Sequence, residues 1–181
     1  MKLDRATGIH RLGIYFTYDK DGVVDNYIPY LLEDLAQNLD ELMVVSNGPL
    51  SPKGREKLER ITSHILEREN KGLDVWAYKA GLDSYGWKML SQYDEVILLN
   101  FTIMGPIYPF REMFEAMAER DLDFWGITRH YGLDRDPFNK CKYGYIPMHI
   151  QSSFMVFRSS LIKSASFQKY WDSMPKITDY T

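Results

Sequence analysis

Residues 93–106, YDEVILLNFTIMGP, constrain the fold more than any other stretch of this chain. Val96, Ile97, Leu98 and Leu99 form an unbroken apolar run, which suits a strand covered on both faces at the centre of a helix-flanked sheet. Polar Asn100 and Thr102 follow at once, and then the chain breakers Gly105 and Pro106. In open α/β sheets ligands bind beyond the carboxyl ends of the strands, so a site is expected at this elbow.

The chain before it repeats the same alternation. Residues 12–18, LGIYFTY, are rich in β-formers and run into the polar cluster Asp19, Lys20, Asp21 and Gly22. From Val24 the apolar residues Ile28, Leu31, Leu32, Leu35 and Leu39 recur at helical spacing, with Pro29 tolerable in the first turn. Residues 41–46, ELMVVS, predict a second buried strand closed by Asn47, Gly48 and Pro49. Ser51 and Pro52 predict a helix start, the hydroxyl capping free amides and the ring presetting φ, with the helix running through Ile61. Residues 63–67 predict a third strand, and Asn70 to Gly72 a turn. That turn opens a helix with Leu73, Trp76, Ala77 and Ala80 inward and Gly81 as its stop. Such alternation implies a mostly parallel sheet with right-handed crossovers.

Beyond the central strand, Pro109 starts a helix marked by Phe110, Met113, Phe114 and Met117, and residues 124–128 predict a further strand. A short helical turn is expected at 85–90. Residues 129–147 carry Gly, Pro, Asp and Tyr without a period, and a connection of that length reads as a lid or acceptor-side loop. Residues 150–158 alternate as a strand, and 161–171 supply one or two short helices. The chain stops at MPKITDYT without a cap, which suggests either a cut boundary or a domain that continues past Thr181. The expectation is a three-layer α/β sandwich, one domain over 1–181.

Composition excludes several classes. A net charge of -3, with Lys and Arg dispersed, gives no footprint for nucleic acid. Cys141 is the single cysteine, so neither an internal disulfide nor a cysteine metal site is available, which fits a reducing compartment and a cytoplasmic location. No apolar run has the length of a transmembrane span, and MKLDRATGIHRLG lacks the core of a secretion signal. Aromatic residues, 14% of the chain, serve either as core packing or as stacking surface for sugar rings and bases.

No G-x-G-x-x-G or G-x-x-x-x-G-K is present, so the usual dinucleotide and triphosphate cradles are absent, and there is no G-x-S-x-G elbow. What remains are three polar strand ends, at Tyr18 and Asp19, at 70–74 and at 100–102, which a parallel sheet brings to one rim. The segments YDKDGVVDNYIPYLLEDL, ENKGLDVWAYKAGL, YDEVILLNFTIMGPI and IQSSFMVFRSSLI before FQKYWDSM resemble, in order and over nearly the whole chain, the rhamnan synthesis F family of rhamnosyltransferases.

That resemblance implies a GT-A-like glycosyltransferase with a nucleotide-sugar donor, dTDP-L-rhamnose, and a glycan or lipid-linked glycan acceptor. It also implies work at the inner face of the cytoplasmic membrane, with peripheral association. It places Tyr18, Asp19, Asn70, Gly72 and Asp74 near the nucleotide. The chemistry fits: Gly72 permits close backbone approach, Asp74 can accept ribose or base hydrogen bonds, and a Tyr ring can stack. Read without the resemblance, Asn70 and Asp74 are a turn residue and a first-turn helix charge.

Where the family pattern reads N-D-S before G-P, with a carboxylate for a divalent Mg or Mn, this chain has Asn100, Phe101 and Thr102. Phenylalanine cannot ligate a metal. Either Asn100 and Thr102 hold the diphosphate with Lys79 or Arg129, or catalysis is weakened. Asp134, Asp136 and His149 are the candidates for a catalytic base, although each also has a structural reading as loop solvation or a lone histidine. Gln151, Ser152 and Ser153 open the last strand and are expected to line the sugar pocket in part. The reading from a different class is a non-catalytic sugar-nucleotide or glycan-binding module. A nucleotidyltransferase is disfavoured because no basic glycine-rich loop follows the first strand.

Overall fold

The computed structural model describes residues 8–177. Six strands form the main sheet in the order β3-β2-β1-β4-β8-β5: β1 (Arg11–Thr17), β2 (Glu41–Asn47), β3 (His64–Arg68), β4 (Glu95–Asn100), β5 (Phe124–Gly126) and β8 (Phe154–Arg158). β1, β2, β3 and β4 are parallel, and β8 alone runs against its neighbours. The apolar run in β4 is fully buried because both faces of the sheet are covered.

Alternation along the strands assigns the two cores. Tyr15, Ile97, Leu99, Phe154 and Val156 face the layer of α1 (Tyr27–Ala36), α2 (Pro52–Glu59) and α4 (Phe110–Ala118). Leu12, Ile14, Phe16, Val96, Leu98 and Phe157 face α3 (Leu73–Leu90), α5 (Ser159–Ile162) and α6 (Ala165–Asp172). The expected three-layer α/β sandwich is therefore observed. Ser51 caps α2 as its sequence predicts, its hydroxyl accepting from the Gly54 amide at 3.1 Å.

The strand order reverses between β1 and β4, because the chain walks from β1 out to β3 and returns to β4 on the other side. Adjacent crossovers leave a crevice at the carboxyl ends there. The burial pattern marks the same end as special, since Thr17, Ser46, Asn47 and Asn100 are polar yet buried at the tips of β1, β2 and β4.

Three expectations are corrected. Gly81 does not stop its helix. It lies inside α3, where a Cβ would come within 2.6 Å of Ile14, so its smallness lets the helix approach the sheet. The short helical turn expected at 85–90 is present, set off from the rest of α3 by the non-helical Gly86 at φ 69° and ψ 154°. The strand expected over 150–158 is divided, with only 154–158 in the main sheet. Residues 129–147 are not a periodless loop: β6 (Arg129–His130) and β7 (His149–Ile150) pair as an antiparallel ribbon, and Leu133 bridges to Ile146 farther out.

Candidate functional site

A cavity of about 610 Å³ opens at the crevice between β1 and β4, within the ordinary size range of small-molecule sites. Its walls come from three chain reversals. Phe16 lies near the end of β1 and Tyr18 just past it, 70–74 leads from β3 into α3, and 100–102 runs on from the last residue of β4. Lys176 and Ile177 close one side. Phe16 and Phe101 meet edge to face at 5.5 Å, giving an apolar floor, and Tyr18 stands half-exposed at the opening.

Asp74 organises the polar wall. Its carboxylate accepts from the Val75 amide at 2.9 Å, from the Ser152 hydroxyl at 2.6 Å and from the Asn100 side-chain amide at 3.5 Å. The Asn100 side-chain Oδ1 in turn accepts from the Thr102 amide at 3.0 Å and hydroxyl at 2.6 Å. Tyr78, one turn along α3, donates to the Ser152 carbonyl at 2.7 Å. Burial pushes this phenol well above its usual range, with the Asp74 charge adding to the effect, so Tyr78 remains a donor. Helix, central strand tip and the lead-in to β8 are thus tied at one carboxylate.

The 70–74 reversal has its own backing. Asn47, fully buried at the end of β2, donates to the Asn70 side chain at 3.3 Å and to the Leu73 carbonyl at 3.2 Å, and it accepts from Arg68. Arg68 also donates to the Lys71 carbonyl at 2.9 Å. Gly72 has φ +78°, and a Cβ there would lie 2.3 Å from the Trp76 ring, so both conformation and space require glycine. The Trp76 indole donates to the Pro175 carbonyl at 2.9 Å, which brings Lys176 and Ile177 to the cavity wall.

Of the residues expected near a donor, Tyr18, Asn70, Gly72, Asp74, Asn100 and Thr102 line this one cavity. Ser152 joins them through Asp74. Asp19 does not line it: its carboxylate accepts from the amides of Val23 and Asp21, which hold it below the usual carboxylate range and shape the β1–α1 turn. Lys79 lies outside, paired with Asp83 at 3.0 Å one turn along α3. Arg129 sits on the β6 ribbon over the Tyr131 ring, and Gln151 is an exposed residue anchored by its amide to Thr128.

The base candidates separate. Asp136 is buried, and amides of Cys141, Phe138 and Lys140 converge on its carboxylate and lower its pKa, so it holds the outer hairpin together. Asp134 is exposed nearby. The Nδ1 of His149 lies 2.9 Å from the Pro147 carbonyl and its ring stacks on His130 at 5.0 Å. Because a carbonyl only accepts, Nδ1 carries the proton and a neutral ring leaves Nε2 as an acceptor.

Phe16, Lys71, Leu73, Lys176 and Ile177 were not picked out from sequence. Lys71 had a signal, being enclosed between Asn70 and Gly72. Lys176 had none, because its position depends on the distant Trp76 contact. Among the described residues, Asp74 is the only carboxylate on the cavity wall, and they contain no cluster of three or more His, Cys, Asp or Glu suited to a metal ion. The Asp74 carboxylate already accepts three hydrogen bonds, with which Mg or Mn would have to compete.

Known proteins resemble this chain in sequence and in fold. The uncharacterized protein y4gN of Sinorhizobium fredii (strain NBRC 101917 / NGR234) is 23% identical over 168 residues, covering 93% of this chain and 41% of that protein. The chain thus spans about two fifths of that relative's length. Among solved structures, 4-diphosphocytidyl-2C-methyl-D-erythritol synthase from Anaerococcus prevotii DSM 20548 superposes with a TM-score of 0.55 at 16% identity, covering 95% of this chain and 81% of that one. Glucosyl-3-phosphoglycerate synthase from Mycobacterium tuberculosis, solved in complex with Mn2+ and UDP-glucose, gives 0.50 at 12% identity, covering 96% and 61%. The likeness is one of fold, the GT-A-like α/β architecture that glycosyl- and nucleotidyltransferases share. A model of the family described as rhamnan synthesis protein F matches residues 42–181, and the chain belongs to that family.

Proposed function

We propose that this chain is the donor-binding domain of a glycosyltransferase that moves a hexose, L-rhamnose from dTDP-L-rhamnose, onto a hydroxyl of a growing cell-surface polysaccharide or lipopolysaccharide. The observation that carries the reading is the meeting of Tyr18, Asn70, Asp74, Asn100 and Thr102 around one cavity at the strand-order reversal. Its aromatic floor suits a base, and its polar wall suits ribose and phosphate. For the base, the backbone amides that engage Asp136 leave Asp134 and His149 as the candidates, and neither of them lines the cavity itself.

A nucleotidyltransferase would need to hold a triphosphate beyond β1. The β1–α1 connection instead carries Asp19, Asp21 and Asp25 against the single Lys20, and Lys20 lies 3.9 Å from Asp21. The second reading is a binding module without turnover, favoured by Phe101 at the position where a carboxylate is expected. Release of dTDP from dTDP-L-rhamnose, measured with and without glycan acceptor, separates them. Acceptor-stimulated release supports the transferase, and dTDP binding without release supports the module. Failure to bind dTDP or UDP defeats both.

A further inference from the structure

We propose that the cavity takes a nucleoside diphosphate without a divalent cation, the ammonium groups of Lys71 and Lys176 supplying the compensating charge. This rests on the reading of the cavity as a nucleotide-sugar site. Three charged residues line it: Lys71, Asp74 and Lys176. A diphosphate ester brings at least two negative charges, so the site needs positive charge from somewhere.

The wall offers little to a hard cation. Mg and Mn take oxygen ligands, and in phosphate sites they are held by one or two carboxylates. Asp74 is the one carboxylate among the described residues that line the cavity, and Ser152, Asn100 and the Val75 amide already donate to it. The next oxygen, the side-chain Oδ1 of Asn100, accepts twice from Thr102. The Ser152 and Asn100 bonds to Asp74 tie α3 to the lead-in to β8 and to the tip of β4, so a metal drawn to this carboxylate competes with them. Phe101, between Asn100 and Thr102, brings no ligand.

The lysines suit the task. Lys71 sits in the 70–72 turn, with its Nζ 2.5 Å from Glu69 Oε1 in a pair more than half exposed on both sides. Exposed pairs of this kind are weak, so phosphate oxygens can take the place of Glu69. Lys176 lies near enough to act on the same Glu69 charge, and it is held there by the Trp76–Pro175 hydrogen bond. Both ammonium groups therefore gather at one side of the opening. Lysine binds phosphate as a point charge that needs no fixed fork, which suits flexible side chains at a rim. Behind them Arg68, fixed by Asn47 and the Lys71 carbonyl, adds a cation that cannot swing away.

The test is titration calorimetry of the chain with dTDP and UDP in EDTA and then in manganese, at low and moderate salt, for the natural sequence, Lys71→Ala, Lys176→Ala and the double variant. Both lysines are exposed, so the variants are expected to fold. Affinity should agree within about twofold with and without metal, each single variant should bind about five- to tenfold more weakly, and the double variant should lose most of the salt dependence. Binding that requires manganese, or lysine variants that bind like the natural sequence, would overturn the proposal and leave the nucleotide-sugar reading standing. No binding of either nucleotide in any condition would remove both.

Discussion

Ser152 reaches from the segment before β8 to Asp74 in the first turn of α3, hydroxyl to carboxylate at 2.6 Å. The two residues are 78 positions apart, and the bond ties the helix to the lead-in to β8. A half-buried hydrogen bond to a charged acceptor contributes about 1.5–3 kcal/mol. Ser152→Ala should therefore lower the urea midpoint by an amount equivalent to about 1–2 kcal/mol. Asp74→Ala, which releases Asn100 as well, should also weaken dTDP binding about tenfold. Wild-type stability for Ser152→Ala would show that the bond does not brace the wall.

Gly72 tests the turn. At φ +78°, with Trp76 in the space a Cβ would fill, Gly72→Ala should cost about 2 kcal/mol or more. Trp76 must then shift and release Pro175. Chemical denaturation gives the stability, and tryptophan fluorescence should report the displaced ring. Unchanged values of both would contradict the tight packing described here.

The outer hairpin should depend on pH through Asp136. Amides of Cys141, Phe138 and Lys140 depress its folded pKa below the ordinary aspartate value. Its stabilising contribution is thus complete above that ordinary value and is lost as pH falls through the lower folded one. Amide resonances of 138–141 should stay dispersed down to the acid range and merge below it. In Asp136→Asn they should be less dispersed at every pH. A hairpin that loosens between neutral pH and the ordinary aspartate range would have another cause.

At the far end of the sheet, Arg11 and Glu95 form a buried pair at 2.6 Å, and Arg158 also reaches Glu95 at 3.3 Å. Glu95→Gln leaves two guanidinium groups with a neutral partner in a poorly solvated place. It should destabilise the fold by about 3 kcal/mol in urea denaturation, without changing which residues line the cavity. A loss near zero would mean that water reaches this pair.

Much of the architecture was legible because burial leaves a local mark. Val96 to Leu99 could only be a strand covered twice, and Ser51 with Pro52 could only open a helix. The convergence of Tyr18, Asn70 and Asn100 followed from parallel strands ending on one rim. Other features depended on distant contacts. Gly81 looks like a helix stop until Ile14 is seen against it. The break at 151–153 is invisible in an alternating stretch, since it arises where Ser153 accepts from Asn100 and Ser152 turns to Asp74. Lys79 is the lysine expected from sequence to help hold the diphosphate, and Lys71 is not. The helix carries Lys79 toward Asp83, while the turn leaves Lys71 at the opening.

The central claim is that three chain reversals form one nucleotide site, and amide hydrogen exchange with and without dTDP tests it most directly. Exchange should slow together at 16–18, 70–74 and 100–102, and remain unchanged around Glu41 and His64 at the opposite edge. Slowing confined to the 129–149 hairpin, or absent from the three reversals at saturating dTDP, would contradict it.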